Sequence, residues 1–157
     1  MSIFSLTLYY CALLAFAAID MNWLVLAACG FYQKHLGFFM RINLNWSAAT
    51  LCYLPFVSGL LVFVIPPSLQ TDSTKKALVL GALFGLIAYA AYALTNMATV
   101  KDWPWVVTVA DLAWGCLLAT AVSYIGFLAG IWLRTTASAP TKSLATRRIY
   151  ECCWTEG

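Results

Sequence analysis

Two aspartates, Asp20 and Asp111, lie inside long apolar stretches that contain no lysine or arginine. An aspartate at the centre of a membrane helix costs about 2.5 to 3.5 kcal/mol on insertion scales, so each carboxyl should face protein or water rather than lipid. With no buried cation to pair with, three states are open to them. They are protonated, they accept hydrogen bonds from neutral donors, or they hold a cation or cationic ligand. Counted along their helices at 1.5 Å per residue, both stand roughly 9 to 12 Å below the same membrane face, at similar depth.

Neutral donors are present at that depth. In the stretch YAAYALTN, Tyr89, Tyr92 and Asn96 fall within an arc of roughly 60° at 100° per residue, and so share one helical face of phenol and amide groups. Thr108 and Asp111 share a face of the last apolar stretch, with Trp114 one turn deeper. Asp20 and Trp23 share a face of the first, and Tyr53 adds a phenol from the second. Asn22 points nearly opposite Asp20 and is not counted.

The elements that position these residues are four apolar runs, at about 3–28, 47–65, 77–96 and 106–133, in a chain of 157 residues that is 63% hydrophobic and 10% charged. A soluble domain carries roughly 25% charged residues, and ~20 helical residues cross a hydrocarbon core about 30 Å thick. The expected fold is therefore all-α: a polytopic membrane protein with four transmembrane helices in one domain, 1–134, and a disordered cytoplasmic tail, 135–157. Ala15-Phe16-Ala17 could mark signal-peptide cleavage, but no basic residue precedes the first run and it continues through Trp23-Leu24-Val25-Leu26, so the helix is expected to be retained. Lys75, Lys76, Arg134, Lys142, Arg147 and Arg148 lie on one side and only Lys34, Arg41 and Lys101 on the other, which predicts both termini in the cytoplasm. Trp23, Trp46, Trp103 and Trp105 then gather near the outer interface, and Trp132 near the inner one.

Between the first two runs, Tyr32, Leu36 and Phe39 recur at i, i+4 and i+7, the pattern of a short amphipathic helix on the membrane surface. His35 in that segment has no evident partner for a switching role. Pro66-Pro67 is expected to stop the second helix. The six cysteines show no CxxC spacing, and no metal site, disulfide framework or cofactor is expected.

Several motifs stand in a joint order: Asp20-x-x-Trp23-Leu24, Phe31-Tyr32-x-x-x-Leu36-Gly37, Asn45-Trp46-x-Ala48-Ala49, Tyr89-x-x-Tyr92-x-Leu94-Thr95-Asn96-x-Ala98-Thr99, Trp103-Pro104 and Asp111-x-x-Trp114-Gly115. In this the chain resembles the bacterial-type membrane proteins grouped as domain of unknown function 2177. The resemblance implies a four-helix integral membrane protein of an inner (plasma) membrane and supplies no activity, ligand or catalytic residue. One position departs. The family pattern resembles Tyr-Gly-Thr-Tyr-Asp-Leu-Thr-Asn, whereas this chain has Ala93 in place of the acid.

The leading functional expectation is a non-enzymatic membrane protein with a polar, acidic pocket in the outer half, formed by Asp20, Trp23, Tyr53, Tyr89, Tyr92, Asn96, Thr108, Asp111 and Trp114. It would bind a lipid or small amphipathic ligand, with proton coupling through the two acids as an option. Three alternatives stand beside it. The first is a proton-coupled transporter, against which counts the distance of the acids from the midplane. The second is a purely structural clamp, helped by close approach at Gly81/Gly85 and Gly126/Gly130. The third is an intramembrane lipid-modifying enzyme, for which no GxSxG or HExxH pattern exists. The lipid bilayer is the expected partner. A homodimer is a further option, for which Gly126-x-x-x-Gly130 is weak support because glycine is common in membrane helices. Nucleotide and nucleic-acid binding are unsupported, since there is no phosphate-cradling glycine loop and the basic residues flank the membrane.

Overall fold

The computed structural model describes the backbone of residues 3–27, 34 and 46–154, and the side chains of residues 3–26, 34 and 46–136. The amphipathic segment around Tyr32, Leu36 and Phe39, together with His35, lies outside the described residues. Where lipid replaces water, every backbone N–H and C=O needs an internal partner, which a continuous helix supplies. Among the described residues there is no strand. The elements are α1 (Ile3–Ala27), α2 (Trp46–Gly59), a π-helical turn (Leu60–Val64), α3 (Ile65–Gln70), α4 (Thr74–Thr99) and α5 (Trp105–Trp154). They make four spans long and apolar enough to cross a membrane: Ile3–Leu26, Trp46–Gln70, Thr74–Thr99 and Trp105–Thr136.

The second span runs past Pro66-Pro67 rather than stopping there, a departure from the expected boundary. Both prolines fall in the first turn of α3, where a helix does not need their missing N–H groups. The π turn just before them shifts the hydrogen-bond ladder, and the Ser68 hydroxyl donates to the Val64 carbonyl at 2.7 Å. The span ends instead at a tight turn in which Asp72 takes a left-handed conformation (φ 45°), and the Ser73 side chain caps α4 by accepting from the Lys76 N–H at 3.3 Å. At the far end α5 is helical to Trp154, where the sequence suggests a disordered tail. A helix already nucleated inside the bundle extends by one hydrogen bond per residue; alanine, leucine, lysine and arginine favour this, whereas Pro140 and the threonines oppose it.

Packing is closest between α4 and α5. A Cβ built on Gly81 would stand 2.6 Å from the Ser123 hydroxyl, one on Gly85 would overlap the Gly115 carbonyl oxygen, and one on Gly115 would overlap the Tyr89 ring. The two backbones therefore touch in an antiparallel register that sets Gly81 against Ser123, Gly85 against Ala119 and Tyr89 against Gly115. Moved one turn on, the same register sets the buried Ala93 opposite the buried Asp111. The core continues through Ala12, Phe16, Val57, Leu60, Leu118 and Val122, with a second cluster of Leu8, Ile65, Leu69, Ala77 and Phe127. Gly126 and Gly130 lie beneath Ile65 and Leu69 of the same chain, so their small surfaces are already covered. Leu14, Leu51, Phe63, Val79, Ile87 and Leu117 point outward and are exposed, as the lipid-facing side of a membrane bundle requires.

Candidate functional site

Asp20 sits one turn after Phe16 on α1 and is buried. Its carboxylate draws donors from two other spans. The Tyr53 hydroxyl of α2 donates to Oδ2 at 2.5 Å, and the Trp114 indole N–H of α5 approaches Oδ1 at 3.4 Å, a long contact for such a donor. Trp23, one turn beyond Asp20, stacks flat on Trp114 with ring centroids 4.3 Å apart and planes 10° from parallel. Phe16 meets the Tyr53 ring edge-on at 4.8 Å. Asp20, Trp23, Tyr53 and Trp114 thus form one cluster in which neutral donors meet a carboxylate and aromatic rings shield it.

Asp111 is also buried, but its surroundings differ. The phenol of Tyr92 on α4 lies within electrostatic reach of Asp111, and Asn96 follows it by about one helical turn on the same face. Tyr92 is 58% exposed, and Asn96 is half-buried. This second group therefore opens onto the outside of the bundle. Trp114 follows Asp111 by about one turn on α5.

The other two candidates take different places. Thr108 is buried and accepts a hydrogen bond from the Trp103 indole N–H at 3.0 Å, which ties the loop between α4 and α5 to the first turns of α5. Tyr89 lies flat against Gly115 and meets Phe56 edge-on at 6.2 Å, so it forms wall between α2, α4 and α5. Sequence reasoning missed Trp103, which it counted only as an interfacial anchor, and the aromatic bed of Phe16 and Phe56. A signal for the bed was present: Phe16 precedes Asp20 by one helical turn and Phe56 follows Tyr53 by three residues, spacings that share a face. Among the described residues there is no cluster of histidine, cysteine and carboxylate side chains able to hold a metal ion.

A family model described as "Predicted membrane protein (DUF2177)" matches residues 5–128, a range that contains every candidate residue. Neither a curated protein nor a solved structure matches the chain.

Proposed function

The chain belongs to this family of predicted membrane proteins, and from that premise we propose that it is a non-enzymatic integral membrane protein that binds a small amphipathic molecule at Asp111, Tyr92 and Asn96. The observation that supports this reading is the exposure of the Tyr92 side chain next to a buried acid. Both oxygens of Asp20 are approached by protein donors, and aromatic rings pack around it. Asp111 is buried within electrostatic reach of Tyr92, whose side chain is 58% exposed. A head group carrying a hydroxyl or an ammonium reaches the phenol and amide from the lipid and meets the carboxylate behind them. Its apolar tail stays in the hydrocarbon along α4. The acid supplies an acceptor and the phenol both a donor and an acceptor, so hydrogen-bond-donating head groups are favoured over purely anionic ones.

In this reading the protein sits in a bacterial-type inner membrane with both termini in the cytoplasm. Support for the orientation is the excess of Lys75, Lys76, Arg134, Lys142, Arg147 and Arg148 on the end that carries the termini. The geometry at Asp20 favours a second role for part of the same set: Asp20, Tyr53, Trp114 and Trp23 act as a polar clamp that sets three spans in register.

The ligand reading is tested by mass spectrometry of small molecules that co-purify with the protein. A Tyr92→Phe/Asn96→Ala double variant should retain about a tenth or less of the molecules held by the wild type, since two hydrogen bonds are lost to a partly desolvated site. Equal retention by the two proteins contradicts the assignment.

A further inference from the structure

At the opposite end of the bundle from Tyr92, the first turns of α1, the end of the second span and Arg134 on α5 enclose a crevice of about 210 Å³. That is room for about seven waters at roughly 30 Å³ each. Phe4, Leu8, Leu61 and Leu69 line its apolar part, while Gln70 and Arg134 stand among its walls. The Arg134 Nη1 donates to the Leu69 main-chain carbonyl at 2.7 Å, which fixes the guanidinium at the mouth of the second span. Its carboxylate neighbour, Asp72, is 3.8 Å away with 78% of its side chain exposed, so this ion pair is loose and water-screened. A guanidinium has five N–H donors in a planar fork, and these two contacts engage one nitrogen. Lys75 and Lys76, in the first turn of α4, add positive charge to this end.

We propose that this crevice holds the phosphate head group of an anionic phospholipid, with Arg134 as its principal contact and Gln70 as a neutral second donor. Charge complementarity selects the occupant. A planar fork at the membrane boundary matches a phosphodiester, and the apolar wall continues into the hydrocarbon, where acyl chains already lie. A soluble anion would match the arginine but make no use of the apolar wall to which Phe4 and Leu61 contribute. This site is separate from the Tyr92 group and does not depend on what binds there.

Native mass spectrometry of the full-length detergent-solubilised protein with added phosphatidylglycerol or phosphatidylcholine tests the assignment. The wild type should retain phosphatidylglycerol about tenfold over phosphatidylcholine, the scale of one charge-assisted contact. Arg134→Gln should abolish that preference. Because Arg134 also satisfies the Leu69 carbonyl, Gln70→Glu provides the second arm: it leaves that hydrogen bond in place and sets a negative charge beside the phosphate. It should lower phosphatidylglycerol retention to the phosphatidylcholine level without lowering the thermal transition. Equal retention of both lipids by the wild type, or an unchanged preference in Gln70→Glu, overturns the proposal. Displacement of the lipid by millimolar inorganic phosphate would make the occupant a free anion and overturn it as well.

Discussion

Replacing Tyr53 with phenylalanine should lower the stability of the bundle by about 1 to 2 kcal/mol, a large effect for the loss of one oxygen atom. Hydrogen bonds between membrane helices are worth about 0.6 kcal/mol on average and about 1.7 at most. Two features place this one at the upper end. The contact is short, at 2.5 Å, and its acceptor is a buried carboxyl group whose other oxygen has, among the described residues, only the long Trp114 contact. Removing the phenol therefore leaves an acceptor without its main donor, which costs more than the net worth of the bond. The phenylalanine ring keeps the edge-on contact with Phe16, so packing changes little. Thermal unfolding in detergent measures the loss. A cycle with Asp20→Leu isolates the pair: once Asp20 is gone, Tyr53→Phe should cost only a few tenths of a kcal/mol. Equal cost in both backgrounds would mean that the tyrosine acts through packing alone.

Gly115→Leu should be more damaging still, with a loss of about 3 kcal/mol or failure to accumulate in the membrane. A Cβ at this position already overlaps the Tyr89 ring, and the Gly115 carbonyl oxygen stands where a Cβ on Gly85 would be. The larger side chain must part α4 from α5 along the seam where their backbones lie closest. Tyr89→Ala removes the ring that the new side chain strikes, so the Gly115→Leu/Tyr89→Ala protein should recover a substantial part of the lost thermal stability. No recovery would show that Gly115 is required for backbone approach rather than for seating Tyr89.

That seam is legible in the sequence in one sense. Gly81, Gly85, Gly115 and Ala119 recur at four-residue spacing, the mark of close helix approach, but spacing does not say which small residues meet. The spans are likewise legible, because lipid demands long apolar helices and little else in the chain is long enough. The end of the second span is not, since reading Pro66-Pro67 as a stop requires an ordinary α ladder and the π turn at Leu60–Val64 alters it. The polar residues mark a middle case. Periodicity sets Tyr89, Tyr92 and Asn96 on one face, yet helices of this diameter spread an arc of about 60° across a neighbouring helix and open lipid. Tyr89 is thus turned inward onto Gly115 while Tyr92 is exposed. Ala93 is the buried residue of the stretch, opposite Asp111. An acid there, as in the pattern the chain resembles, would face a second carboxylate across the α4–α5 seam. The Arg134 contact with Leu69 joins residues far apart in the chain and no local pattern announces it.

The proposed division of the two membrane aspartates, Asp20 holding the bundle and Asp111 meeting a ligand, is tested most directly by parallel Asp20→Asn and Asp111→Asn variants. Both should be purified in the same detergent and analysed by native mass spectrometry for retained small molecules. Asp111→Asn should lose the bound species, whereas Asp20→Asn should keep it and unfold at a lower temperature than the wild type. Loss of the species in Asp20→Asn but not in Asp111→Asn, or identical behaviour of the two variants, would contradict that division.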